Sequence, residues 1–374
     1  MNLPKHTWVV DPQGLDRLAR AVADAPWTAL DTESNSMFVY QERVCLMQFN
    51  AGGELFVVDN LALPLGPDAL GPLHAALSDP ARVLYVHGGE YDVACLKRDY
   101  GLALPRVFDT QQAASLLGFE RTGYGSIVRD LLDVDLPKEH TQHNWGRRPV
   151  DPDALRYALD DVLHLPVIAR LLEGHVRDAD LAEEVAIACD AVCEASAHNS
   201  DFDPLRVYRI KGLEDLDRRQ QGVLYAVYAW RDQAAAQADV PPGRFLASAA
   251  LPSLARRAPT DVGELKKTAA RRIAGRFGDE LVRVIRAALD DPPALPERPR
   301  RPPPDPAVRK REQKLKQWRQ REAAKRGVTL AVVLPARALE HLAHNGAADL
   351  TAVPQLGPKR ISLYREDLER IAGA

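Results

Sequence analysis

The rhythm of apolar and polar positions changes about halfway along the chain. Over the first ~170 residues, short apolar runs bounded by turn residues alternate with stretches of helical spacing. Thr28–Leu30 leads into Asp31, and Val44–Phe49 and Leu55–Asp59 are separated by Asn50-Ala51-Gly52-Gly53. These runs predict a three-strand meander. Pro67–Ser78 has helical spacing, Arg82–His87 is another apolar strand, and Glu90–Tyr100 follows Gly88-Gly89 as a helix. Meandering strands followed by β-α units predict an α/β or α+β domain built on a mixed sheet. From Asp151 onward the periodicity is almost purely helical, with Asp151 as an N-cap and Pro152 at the first helical position.

The second half repeats itself. At one fixed offset and without gaps, Trp230-Arg231 aligns with Trp318-Arg319, Val240 with Val328, and Leu246 with Leu334. Leu251 then aligns with Leu339, Leu254-Ala255 with Leu342-Ala343, and Asp261 with Asp349. Each copy has amphipathic spacing, so two small helical bundles are expected, with Trp230 and Trp318 as equivalent core anchors. Between them, Asp291–Pro306 holds 8 prolines in 16 residues and reads as an extended, semi-stiff linker.

Charge sharpens this division. The net charge of −3 averages two unlike halves. Residues 1–200 carry 16 Lys+Arg against 30 Asp+Glu, and residues 201–374 carry 33 against 22. The basic excess is densest in Arg298–Arg326, with 12 Lys+Arg against Asp305, Glu312 and Glu322. An acidic unit suited to metal ions is thus joined to a basic unit suited to a polyanion. No stretch approaches ~18 uncharged apolar residues, and the first ten residues lack a signal core, so no membrane association and a cytoplasmic location are expected. Cys45, Cys95, Cys189 and Cys193 lack zinc-like pairing and fit a reducing compartment.

Four carboxylates and a tyrosine carry the candidate chemistry. Asp31 and Glu33, at i and i+2 on a strand, leave the same face and can converge on one hard cation. Taken alone, they could equally be acids in an exposed strand-end loop. Tyr157 and Asp161, at i and i+4, share a helix face, while Asp160 is turned away and expected to be solvated. Glu90 and Asp92 lie in the first turn of a helix, where the dipole favours anions.

Their order in the chain resembles a known set of motifs. Ala29-Leu30-Asp31-Thr32-Glu33 is similar to the first motif of the DEDD superfamily of 3′→5′ exonucleases. His87-Gly88-Gly89-Glu90-Tyr91-Asp92 resembles the second, and Tyr157 to Asp161 the third, in its tyrosine-bearing form. Leu136-Pro137-Lys138, Trp145 and Arg148-Pro149 resemble the lead-in found in ribonuclease D-like enzymes, and the helical repeats resemble HRDC domains. Two positions depart from the usual family pattern: Ser34 in place of an aromatic residue, and Asn144 before Trp145.

The resemblance implies a ribonuclease H-like α/β exonuclease domain over residues 1–200, followed by two all-α HRDC-like bundles. The first spans 208–290 and the second 307–374, with 291–306 as linker. It further implies a metal-dependent exoribonuclease releasing 5′-mononucleotides from the 3′ ends of RNA, tRNA precursors or other structured RNA among them. Asp31, Glu33, Asp92 and Asp161 would hold two divalent ions, Mg²⁺ or Mn²⁺, with Tyr157 aiming the attacking water. Lesser candidates are His87, Lys138 and Arg148 as substrate contacts, with Gln48 and Asn35 beside the groove. Trp145 reads as a packing residue. No Gly-x4-Gly-Lys-Ser/Thr loop occurs, so no ATP-driven step is expected. A DNA exonuclease of repair and a catalytically silent RNA-binding scaffold stay open as alternatives. The basic helical modules are expected to grip the body of the RNA, so removing residues from about Asp291 onward should weaken structured-RNA binding and leave cleavage of short oligonucleotides.

Overall fold

Asp11 ends one element and starts the next: its carboxylate accepts the Gly14 amide, and Pro12 opens a helix with its φ already set. This pair, β1 (His6–Val9) and α1 (Pro12–Asp24), precedes the expected meander and was not legible in the spacing. The computed structural model describes residues 3–137, 143–197, 201–298 and 305–373. In it the meander is β2 (Thr28–Ser34), β3 (Val44–Ala51) and β4 (Glu54–Asp59). The helix expected over Pro67–Ser78 is broken. Pro67–Leu70 is a single 3-10 turn, and Gly71, at φ +50, redirects the chain into α2 (Pro72–Leu77).

There follow β5 (Leu84–Val86), α3 (Glu90–Tyr100), β6 (Val107–Asp109), α4 (Thr110–Leu117) and α5 (Tyr124–Leu132). The six strands form one mixed sheet in the order β1-β4-β3-β2-β5-β6. The β2-β3 and β3-β4 pairs are antiparallel and the other neighbours parallel. Every residue of β3 is buried, which explains its nearly unbroken apolar run: the strand is covered on both faces. β2 pairs with β5 only at Thr28 and Ala29, so its last residues run free of that neighbour. The carboxyl end of a strand in such a sheet is where a crevice opens.

Three further helices, α6 (Pro152–Leu163), α7 (Leu165–Asp178) and α8 (Ala182–Cys193), complete this part, with α6 packed on β2 and β3. Asp151 caps α6 through the amides of Asp153 and Ala154, as its place before Pro152 suggested.

The chain divides into two compact units. One comprises Asn35–Arg43 and Asn199–Arg301 and contains α9 (Arg218–Ala238), α10 (Pro242–Phe245), α11 (Leu251–Arg257), α12 (Val262–Lys266) and α13 (Ala274–Asp290). Trp230 is buried at its centre, between Phe245 and Phe277. Within the same unit the Tyr40 hydroxyl donates to Asp232 at 2.6 Å, and Arg244 stacks over Phe38.

The other unit joins the sheet and α1–α8 to Pro302–Ala374, which holds α14 (Pro306–Arg326), α15 (Leu330–Val333), α16 (Ala336–Asn345) and α17 (Gly357–Ala372). Trp318 anchors this second helical core, as its repeat partner anchors the first. One residue of the module goes further. Val332, fully buried, belongs to the same apolar core as the strands.

Candidate active site

β2 delivers the first two acids. Its pleat sends Asp31 and Glu33 to one face, Asp31 lying across from Gln48 of β3 and Glu33 across from Leu46. α6 delivers the third, because its packing on β2 and β3 brings Asp161 over that face. Carboxylate oxygens of Asp31, Glu33 and Asp161 lie within 4.8 Å of one another, the one such cluster found among the described residues. One turn before Asp161, the Tyr157 hydroxyl donates a hydrogen bond to it.

Asp92 comes from α3, the helix that follows β5. Its buried carboxylate accepts the hydroxyl of Thr32, the residue between Asp31 and Glu33, so α3 is tied directly to the acid-bearing strand end. The turn into α3 is held by Asp109 at the end of β6. That carboxylate is fully buried, accepts the Gly88 and Gly89 amides at 3.0 and 2.9 Å, and also caps α4. Glycine is required in this turn: Gly88 has φ +64, and a Cβ on Gly89 would lie 2.8 Å from Val86.

Crowding of like charge sets the electrostatics. At an effective dielectric of ~20, two carboxylates 4.8 Å apart repel by about 3 kcal/mol. Burial first, and then the neighbouring carboxylates, raise Asp31 and Glu33 well above the usual carboxylate range. Asp161 is pushed up to about 8, by burial and then by Asp160. Asp92 rises to about 6 through burial, with the Thr32 hydrogen bond acting the other way. Burial and the charge of Asp161 raise the Tyr157 phenol, which therefore keeps its proton and serves as a donor.

This donor set fits a divalent ion: three hard oxygen ligands, no histidine or cysteine among them, and mutual repulsion that a cation relieves.

The remaining sequence candidates fall differently. His87 is half-buried, with Nδ1 2.8 Å from the Thr110 hydroxyl and its ring edge-on to Tyr124, and burial lowers its pKa. Arg148 spends its guanidinium at home: Nε and Nη2 fork onto Asp59 at 2.7 and 2.6 Å, and Nη1 donates to the Trp145 and Arg147 carbonyls. Lys138 lies outside the described residues. Trp145 is buried as packing. Gln48 is buried beside Asp31, and Asn35 closes its loop by accepting the Arg43 amide.

Asp160 corrects the sequence reading. It is only 3% exposed and paired with Arg156 one turn earlier, because α6 buries that flank as well. Thr32, Asp109 and Tyr124 were missed. Only Asp109 had a visible signal, standing before Thr110-Gln111-Gln112 where a helix cap belongs.

Sheet, helix placement and acid cluster together fit an enzyme that works with divalent metal. Residues 6–176 match the 3′-5′ exonuclease domain family, and residues 220–285 and 309–371 match the HRDC domain. The chain is 31% identical to ribonuclease D of Pseudomonas paraeruginosa, over 92% of this chain and 90% of that protein. It is 29% identical to ribonuclease D of Acidiphilium cryptum, over 100% and 94%. The fold matches the crystal structure of Escherichia coli RNase D with a TM-score of 0.69, at 24% identity and over 99% of both chains. It also matches a protein of Bifidobacterium adolescentis with a TM-score of 0.79, at 19% identity and over 100% and 98%. The chain belongs to the ribonuclease D family and is a 3′-5′ exoribonuclease.

Proposed function

We propose that this enzyme removes 5′-mononucleotides one at a time from the 3′ ends of structured RNA, tRNA precursors among them, with two Mg²⁺ or Mn²⁺ ions. The observation that carries the reading is the convergence of Asp31, Glu33 and Asp161 oxygens within 4.8 Å. Asp31, Glu33 and Asp161 would hold the ion beside the attacking water, and Asp31 and Asp92 would support the second, Asp92 directly or through water. Bound there, the ions lower the pKa of water and neutralise the departing 3′-oxygen.

The protein's own groups supply the rest. The carboxylates give up their protons on loading and then fix the geometry, while Thr32 keeps Asp92 from rotating away. Tyr157, protonated, donates toward Asp161 and aims the water at phosphorus; a neutral phenol orients and does not abstract a proton.

The basic half supplies affinity for the RNA body. Along exposed α14, Lys310, Lys314 and Arg321 form one stripe, none of them ion-paired to another described residue. Four cysteines outside any disulfide, three of them buried, fit work in the reducing cytoplasm.

Matched 3′-labelled RNA and DNA, each incubated with Mg²⁺ or Mn²⁺, test the substrate. Stepwise mononucleotide release from RNA alone is the expected outcome. Equal turnover of DNA would move the reading to a DNA exonuclease.

A further inference from the structure

The module Pro306–Ala372 does not hang from its linker. Val332 of α15 is fully buried in the sheet's own apolar core, with Val328 and Ala331 packed beside it. At the start of α17, Gly357 has φ +76 and touches α8 so closely that a Cβ would lie 2.4 Å from Ile187 and 2.5 Å from Glu183. The Lys359 amide donates to Glu183 at 2.8 Å, and its ammonium reaches Glu184 at 3.2 Å and Asp180 at 3.1 Å. Glu184 is 2% exposed, so Lys359 neutralises a buried charge. Arg360, 1% exposed, locks this corner by donating to the carbonyls of Ala331, Val332, Gln355 and Leu356.

The other end of α8 holds the catalytic helix. Lys97 of α3 donates from Nζ to the carbonyls of Cys193 and Ala195, at 2.5 and 2.8 Å. The Cys193 carbonyl lies at the negative pole of α8, where an ammonium is favoured, and that of Ala195 just beyond it. Lys97 lies five residues beyond Asp92, about 7.5 Å along the helix axis. A line of contacts therefore runs from α17 through α8 and Lys97 to α3, which presents Asp92 to the acid cluster.

We propose that the second helical module is a positioning element of the active site: by docking on α8 it fixes, through Lys97, the helix that carries Asp92. The proposal rests on the assignment of Asp92 to the metal site. Catalytic groups need placement to within about 0.5 Å, and a misplacement of about 1 Å costs on the order of 100-fold in rate. A module that only gripped RNA would not matter to a substrate too short to reach it.

The test uses the full chain and an RNA dinucleotide. Docking variants are G357V and K359M, and the clamp variants are K97M and K97R, each checked for folding by circular dichroism. Expected for G357V, K359M and K97M are a kcat on the dinucleotide reduced about 10-fold or more and a raised Mg²⁺ concentration for half-maximal rate. KM is expected to change little, with partial recovery in K97R, which keeps the charge. A second readout needs no turnover: Mn²⁺ binding followed by paramagnetic resonance is expected to weaken, and amide exchange in α3 to quicken.

Folded docking variants with unchanged Mn²⁺ affinity, α3 exchange and dinucleotide kcat would overturn the proposal. A wild-type enzyme that binds Mn²⁺ but leaves the dinucleotide intact would instead overturn the functional reading. The binding and exchange results would then still decide the clamp.

Discussion

Asp161→Asn separates the electrostatics of the acid cluster from its packing. In the metal-free protein burial, and then the charge of Asp160, push the Asp161 carboxyl up to about 8, against 3.8 in an unstructured chain. Between those values the folded state holds a proton that the unfolded state has lost, so stability falls as pH rises and the full penalty is reached above 8. From pH 6 to pH 8 this group alone removes about 2 kcal/mol, or roughly a few degrees in melting temperature. Mg²⁺ at a hundred times its dissociation constant returns about 2.7 kcal/mol, and its benefit is larger at pH 8, where fewer protons must be displaced. His87 and His164, both lowered by burial, act in the opposite direction and only near or below pH 6.5. The difference between wild type and variant therefore carries the result. Calorimetry in EDTA and in Mg²⁺, at pH 6, 7 and 8, is the assay. Wild type is expected to lose stability with rising pH and regain it with Mg²⁺, and D161N to lose about 2 kcal/mol less over that range and to regain less with Mg²⁺, Asp31 and Glu33 still being raised by burial. A metal-free wild type that gains stability from pH 6 to 8, or a D161N protein with the full wild-type pH slope and Mg²⁺ response, would refute the reasoning.

Three further outcomes are expected. Tyr157→Phe removes one hydrogen bond to a charged group, worth about 1.5–3 kcal/mol, so kcat should drop about 10–100-fold while Mg²⁺ affinity measured by calorimetry stays near wild type. Arg148→Ala should cost about 1–2 kcal/mol in thermal stability through the half-buried Asp59 pair, without changing RNA affinity in a filter-binding assay. Replacing Lys310, Lys314 and Arg321 together by Gln should flatten the slope of log affinity against log salt by about 2 on single-stranded RNA, with dinucleotide turnover unchanged.

How much was legible follows from where each signal resides. Asp31 with Glu33 and Tyr157 with Asp161 stood out because strand and helix periods put i, i+2 and i, i+4 partners on one face, while Asp92 was singled out by the resemblance of its motif to the exonuclease pattern. Trp230 and Trp318 were visible because duplication preserved them. Asp160 was misread because angular position on a helix says nothing about what packs against its other flank, and here Arg156 neutralises it in a buried setting. Arg148 looked like a phosphate ligand because a cation in a loop carries no sign of its partner; Asp59, far away in sequence, takes the whole fork. The docking of Pro306–Ala372 was hidden for a similar reason. Val332, Gly357 and Lys359 are unremarkable in sequence, and their meaning comes only from long-range contact with the strands and α8. β1 and β6 are only four and three residues long, too short to show a period.

The central claim is that Asp31, Glu33, Asp92 and Asp161 form one metal site that cuts RNA from its 3′ end. It is tested most directly with a 5′-labelled RNA oligonucleotide, incubated with wild type and Asp31→Ala in Mg²⁺ and in EDTA, with released products identified by mass. The account expects a ladder retreating from the 3′ end and 5′-mononucleotide products, both absent in EDTA and in Asp31→Ala. Cleavage that survives either condition, or products that carry a 3′-phosphate, would contradict it.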